Sequence, residues 1–432
     1  MSADTVAILG FVALFALMLL RVPVGMAMGL VGVSGYAYLM GGGPALKLIG
    51  QTSMRTVTDY TFGVIPMFLL MGAFVSTSGV SRELFRAANT LVGHWRGGLG
   101  LATIFACGGF AAISGSSVAT AATFSTVAYP EMRRYGYPKS FSAGVIAAGG
   151  TLGAMLPPST VLAVYGLITQ QDIGKLFMAG ILPGLLAMLM YMATISIMCR
   201  LRPNFLPTVP KATWEQRLKG LRDVWAPALL FVFVIGGLYG GLFTPTEAGG
   251  VGAGGAFILG TLRGRLGKAE IRSSLLQATR TAAAVFTVLI GALLFGYFLT
   301  ITQVPQSVTG FLTSLGIGRY GVLALIMVMY LVLGCLMDAM AMIILTVPII
   351  FPVVGELGFD PIWFGVIIVM TVELGLIHPP VGMNVFVIKS VVQDVTFSSI
   401  FKGVLPFIAT DIVRLIILIA FPMIALWLPS QM

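Results

Sequence analysis

Residues 114–158 read SGSSVATAATFSTVAYPEMRRYGYPKSFSAGVIAAGGTLGAMLPP, and residues 336–380 read LMDAMAMIILTVPIIFPVVGELGFDPIWFGVIIVMTVELGLIHPP. The two passages align without a gap at an offset of 222 residues. Tyr129-Pro130 falls on Phe351-Pro352, and Gly136-Tyr137 falls on Gly358-Phe359. Leu152-Gly153 and Pro157-Pro158 fall on Leu374-Gly375 and Pro379-Pro380. The same offset sets Pro23 on Pro245. Gly and Pro are abundant here, so one coincidence would mean little. Several in one ungapped register mark a duplicated unit of about half the chain.

Outward from this pair, composition bounds the class. Hydrophobic residues make up 58% and charged residues 9%, against about 25% charge in soluble domains. Mean hydropathy is +1.00. Apolar runs near the length of a bilayer crossing recur throughout, so the chain reads as an all-α polytopic membrane protein. The many glycines and prolines point to closely packed, often interrupted helices. Cys107, Cys199 and Cys335 sit in apolar context and read as small buried hydrophobes. The net charge of +10 reads as basic cytoplasmic loops rather than a nucleic-acid surface. The opening MSADTVAILGFVALFALMLLR lacks a basic leader and a small-residue cleavage site, so it reads as a retained first span.

The first repeat covers 1–199. Spans are predicted at about 4–20, 23–41 and 61–78, with a Gly-rich turn and polar segment from 41 to 59. Leu84, Ala87, Ala88 and Leu91 share a face of an interfacial helix over 80–96. A helical hairpin is expected over about 98–129, turning at Ser114–Ser117. A broken span over 140–168 is interrupted at Pro157-Pro158, because adjacent prolines remove amide donors and clash with the preceding turn. A span at 177–199 closes the repeat, and a basic cytoplasmic linker occupies 200–224. The second repeat, 225–432, has spans at about 225–242 and 246–262, a basic amphipathic stretch at 263–280 and a span at 283–301. A hairpin at 320–352, a broken span at 361–390 and a last span at 404–428 complete it.

If each hairpin re-enters on its own side, each half crosses five times, and an odd number inverts the second half. Charge distribution tests this independently. With both termini periplasmic, 20 of the 25 Lys and Arg fall in cytoplasmic segments and four (Lys47, Arg55, Lys175, Arg319) fall outside. A hairpin that crossed would flip everything after it and erase most of that asymmetry.

A hairpin tip facing an unwound helix supplies free carbonyls, hydroxyls and helix ends at membrane depth. Ser114, Gly115, Ser116 and Ser117, with Gly153 and Pro157, are the expected first cation surface. Gly334, Asp338, Glu373, Gly375 and Pro379 are the expected second. Ser116, Ser159, Thr160, Asp338, His378, Asn384 and Arg414 are candidates for contact with an anionic substrate between the tips. Each has a plainer reading. The serines suit close helix packing, and the proline pair suits a simple kink. Asp338 is the most informative, because intramembrane carboxylates are costly and usually functional. Glu373 divides between coordinating a cation and supporting its neighbours. His378 divides between bonding local carbonyls and moving a proton. Arg414 divides between meeting a substrate carboxylate and pairing with Asp411 three residues before it. No G-x-x-x-x-G-K-[ST] or H-E-x-x-H motif and no acid/base constellation is present, so neither ATP hydrolysis nor enzymatic chemistry has support.

The runs ISGSSVATAATFSTVAYPEMRRYGYPKSFSAGVIAAGGTLGAMLPPS, DAMAMIILTVPIIFPVV and ELGLIHPPVGMNVFVIK resemble the large membrane subunit of tripartite ATP-independent periplasmic (TRAP) transporters, over essentially the whole chain. This resemblance to the DctM-like subunit implies Na⁺-coupled uptake of an organic acid across a bacterial inner membrane, with two coupling ions and no other cofactor. It implies two partners, a small membrane subunit and a periplasmic substrate-binding protein. Nothing precedes the first span here, so the small subunit is expected as a separate chain. It further implies an elevator, in which hairpins and broken spans move as a block against a scaffold. His378 departs from the family pattern, which more often has a small hydroxyl residue there. The alternative reading is a stand-alone dicarboxylate or citrate carrier; a membrane enzyme or channel is a third class.

Overall fold

A computed structural model of the chain describes residues 2–203, 205–335 and 337–432; Leu336, at the second tip, lies outside the described residues. Every regular element among the described residues is helical. The first half contains α1 (Ala3–Leu19), α2 (Val24–Met40), α3 (Gly42–Thr58), α4 (Val64–Thr77) and α5 (Val80–Val92). It continues through α6 (Gly98–Ser114), α7 (Ser117–Arg134), α8 (Lys139–Met155), α9 (Thr160–Thr169) and α10 (Ile173–Leu201). The linker forms α11 (Trp214–Asp223). The second half contains α12 (Trp225–Tyr239), α13 (Pro245–Leu262), α14 (Lys268–Ile301), α15 (Val304–Ser314) and α16 (Gly318–Gly334). Then follow α17 (Ala339–Glu356), α18 (Pro361–Gly375), α19 (Met383–Val391) and α20 (Phe397–Ala420).

The 222-residue offset seen in sequence carries α7 onto α17 residue for residue, and it carries α1, α2, α6, α8, α9 and α10 onto α12, α13, α16, α18, α19 and α20 within three residues at either end. Packing partners are exchanged in the same way. α2 lies on α14 while α4 lies on α13, and α7 meets α19 while α9 meets α17. Small residues permit this closeness. A Cβ on Gly291 of α14 would overlap the carbonyl oxygen of Gly25 on α2, and one on Gly403 of α20 would overlap that of Ser140 on α8.

Several elements differ from the sequence reading. The segment 41–59, expected as a turn and polar stretch, is helix α3. The stretches at 263–280 and 283–301 are not separate from Lys268 onward, where they form one 34-residue helix. In the first half Asp59 ends α3, its carboxylate accepting the Thr61 N–H at 2.9 Å to start a 3₁₀ turn. At the matching place α14 carries the helix-forming run Thr281–Val285, which has nothing to stop it. Also, α15 fills a place for which no helix was expected.

Among the described residues, six helices are long and apolar enough to cross a bilayer, and five apolar helices are shorter. A 17-residue helix such as α1 is about 25 Å long, close to a hydrocarbon core of about 30 Å. The linker is tied down by charge. Glu83 of α5, buried, accepts from Arg263 at 2.9 Å through both oxygens and from Arg265 at 3.1 Å. Arg263 also donates to the Asp223 carbonyl at 3.2 Å.

A second tie joins the halves. In the loop after α19, Asp394 accepts from the Tyr129 hydroxyl at 2.9 Å and pairs with Lys139 at 3.0 Å. Partial burial raises the Asp394 carboxyl, but the bonds from Lys139 and Tyr129 outweigh it and hold it below the ordinary carboxylate value. A folded value below the unfolded one stabilises fully above the unfolded pKa and is lost as pH falls through the folded value. Asp394→Asn is therefore expected to lower the unfolding midpoint in detergent slightly at neutral pH, by at most about 1 kcal/mol for so exposed a pair. The gap between variant and wild type should close below about pH 4. A gap that persists undiminished at pH 3 contradicts this account.

Candidate functional site

Both halves bring a hairpin tip against a broken helix. In the first, α6 ends at Gly115, in the left-handed region at φ +61°. Ser116 starts α7, its hydroxyl accepting the Ala119 N–H at 3.3 Å. The break between α8 and α9 spans Leu156–Ser159, with a cis Pro157-Pro158 bond. The Gly115 carbonyl accepts from the Thr160 hydroxyl at 3.0 Å and its amide at 3.4 Å. A Cβ on Gly115 would overlap the Pro158 carbonyl oxygen, and one on Gly153 would stand 2.5 Å from the Ser116 carbonyl carbon. The tip and the break are thus in backbone-to-backbone contact and are buried throughout 151–160. The Ser114 hydroxyl lies 3.3 Å from that of Thr120.

In the second half, α16 and α18 meet at Gly334 and Gly375. A Cβ on either would stand within 2.9 Å of the other's Cα. The break spans Leu376–Gly382 and again contains a cis proline pair, Pro379-Pro380. Pro380 is exposed, whereas Pro158 is buried. The second break is therefore exposed at a position where the first is buried.

Several expected contacts are differently arranged. Asp338, expected at the second cation surface, is exposed on the tip and caps α17, accepting from the amides of Met340 at 3.0 Å and Ala341 at 3.2 Å. Glu373 does not join Gly334 and Asp338. It points into the centre of the bundle, toward Ser117, Arg414 and Asp411. The reason is helical phase: Gly375 faces α16, and Glu373, two residues earlier, projects from another side. Ser159 and Thr160 donate their hydroxyl protons within the break. The Ser159 hydroxyl donates to the Ala154 carbonyl at 2.5 Å and accepts from the Leu162 amide, while Thr160 holds Gly115. His378 Nδ1 lies 2.6 Å from the Pro379 carbonyl, and Cys335 Sγ bonds the same oxygen at 3.3 Å. Arg414 is 1% exposed and pairs through Nη2 with Asp411 at 2.9 Å, while its Nε and Nη1 have no hydrogen-bond partner among the described residues. Asn384 is fully buried on α19.

Sequence reasoning missed Tyr191 and Thr151. The Tyr191 hydroxyl donates to Asp411 at 2.7–2.8 Å and lies 3.0 Å from the Thr151 hydroxyl. Thr151 was findable, because the 222-residue offset places it on Glu373. A cleft of about 580 Å³ lies away from the tips, between Tyr60–Phe62, the end of α9 and Thr244–Thr246.

Comparison with known proteins bears on this arrangement. The family description "Tripartite ATP-independent periplasmic transporter, DctM component" matches residues 11–424. The chain is 40% identical to the C4-dicarboxylate TRAP transporter large permease protein DctM of Pseudomonas aeruginosa, covering 87% of this chain and 88% of that one. It is 32% identical to the sialic acid TRAP transporter large permease protein SiaM of Vibrio cholerae, covering 89% and 90%. The Alcanivorax borkumensis YdaH transporter shares the fold at a TM-score of 0.58 and 14% identity, over 88% of each chain. An all-helical membrane chain with paired hairpins and paired proline breaks, matched over nearly its whole length, belongs to the DctM component family of the tripartite ATP-independent periplasmic transporters.

Proposed function

We propose that this chain is the large transport subunit of a Na⁺-coupled, binding-protein-dependent importer of an organic acid. The observation that carries the reading is the backbone contact of each hairpin tip with its own broken helix. Such contacts present carbonyl oxygens for a hard cation and helix N-termini for an anion. C4-dicarboxylates and sialic acid, named for two relatives, are the substrate classes to try first. The family name describes one component of a tripartite system, which supports a small membrane subunit and a periplasmic binding protein as partners. The matched helices and exchanged packing partners support two repeats of opposite topology, with α6–α9 and α16–α19 moving together against α1, α2, α12 and α13. Each Na⁺ entering down a 100 mV potential contributes about 2.3 kcal/mol, so two can concentrate an acid strongly.

The test is uptake into proteoliposomes. Uptake is expected to require both Na⁺ and the binding protein, and Asp338→Ala is expected to reduce it to background with the protein still folded. Undiminished uptake with choline in place of Na⁺ would falsify the coupling. Uptake without any binding protein would favour a stand-alone carrier instead.

A further inference from the structure

An apolar groove and an unpartnered cationic cluster meet where the linker enters the second half. The groove holds about 470 Å³, and every residue lining it is apolar or glycine. One wall is α6, α10 and the first break at Leu156-Pro157; the other is α5, α11 and α12. From α5 it takes Leu84, Ala87, Ala88 and Leu91, the apolar face already legible in sequence. Leu221, Val224, Ala228 and Phe231 continue that wall at steps of three and four residues, across the 44° bend between α11 and α12.

Four residues before Leu221, the same stripe reaches Arg217. Its Nε and Nη2 are closed off from solvent and have no hydrogen-bond partner among the described residues. The Trp214 ring lies 5.4 Å from the guanidinium carbon. α5 and α11 pack with Gly220 against Ala87 and Thr90; a Cβ on Gly220 would stand 2.8 Å from the Thr90 hydroxyl oxygen. Just beyond α5, His94 Nδ1 is also closed off and unpartnered. Burial, then the charges of Arg217 and Lys211, hold the His94 imidazole below its ordinary value, so these three groups share one neighbourhood. The acids on these helices are engaged elsewhere or lie apart. Glu83 is held by Arg263 and Arg265, and Asp223 lies 4.0 Å from Arg86. Glu215 is exposed, and no ion pair joins it to Arg217 among the described residues.

Donors closed off without an acceptor are unfavourable by about 1–3 kcal/mol each, and a positive cluster without a counterion attracts an anion. The guanidinium fork matches phosphate. The adjoining groove offers no polar partner, so it suits a hydrocarbon chain. A phospholipid carries both parts in one molecule. Trp225, half exposed at the start of α12, marks the depth of the bilayer interface between them. Basic pockets beside membrane helices recognise anionic headgroups in this way.

We propose that Arg217, His94 and Lys211 hold the phosphate of one anionic phospholipid, whose acyl chain fills the groove between α6, α10 and α12. The site goes beyond the transport reading and does not rest on it.

The experiment is native mass spectrometry of the purified full chain in detergent, titrated with phosphatidylglycerol, phosphatidylcholine or inorganic phosphate. Wild type is expected to hold one phosphatidylglycerol per chain about tenfold or more tightly than phosphatidylcholine. Arg217→Ala is expected to weaken phosphatidylglycerol about tenfold or more. Ala228→Trp, at an exposed position on the groove wall, fills the groove with the charges intact and should weaken it as much. Arg272→Ala, exposed on α14, is the control and should bind as wild type does. Wild-type affinity in both Arg217→Ala and Ala228→Trp overturns the proposal. Loss in Ala228→Trp alone leaves a groove without its headgroup site and also overturns it. Displacement of the lipid by inorganic phosphate, with Ala228→Trp unchanged, gives the cluster to a free anion instead. Exclusion of the lipid by a bound second membrane subunit gives the groove to that subunit and equally overturns the assignment. If one variant does not elute as folded protein on size exclusion, the other decides.

Discussion

Uptake by Gly115→Ala should fall to about a hundredth of wild type or less, in the same proteoliposome assay. Two costs meet at this residue. Its φ of +61° lies in the left-handed region, which charges an L residue about 1–2 kcal/mol. The new Cβ also overlaps the backbone carbonyl oxygen of Pro158, which no rotamer can relieve. The tip must withdraw from the break, and the Thr160 bonds to the Gly115 carbonyl open with it. A displacement of about 1 Å at a site assembled from carbonyls can cost about 100-fold. Gly310→Ala is the control, since a Cβ there meets nothing within 4 Å. Near-normal uptake by Gly115→Ala would show that the tip contact is not part of the transport surface.

Arg414→Ala is expected to lose about 3–5 kcal/mol of stability, the usual cost of removing one partner from a buried pair. Asp411 would remain 1% exposed with only the Tyr191 hydroxyl to hold it. The Tyr191 ring would also lose the guanidinium that lies 5.8 Å from its centroid. The double replacement Asp411→Leu with Arg414→Met should recover part of that loss, because it removes both charges together. Unfolding midpoints in detergent measure both. An Arg414→Ala protein as stable as wild type would mean that the pair is solvated and the centre of the bundle is not closed.

The broken helices and the hairpins were legible because their signals are local. Pro157-Pro158 and Pro379-Pro380 cannot sit inside a regular helix, and small residues mark where the chain reverses. The linker was read as charged chain, yet it contains a helix. Its Thr213–Gln216 capping box was a readable signal that went unused. The single helix α14 was divided in reading because its basic and apolar parts differ in character, although nothing between them breaks a helix.

Sequence by itself determined the class and the places where helices must break, because hydropathy and proline chemistry act through neighbours along the chain. Only the tertiary structure decided which side chains meet. It turned Glu373 away from the second tip and toward Ser117 of the other half, and it spent Ser159 and Thr160 on the first break. Those pairings depend on helix phase and on contacts hundreds of residues apart, such as Tyr191 with Asp411 across 220 positions. No local rule along the chain carries that information.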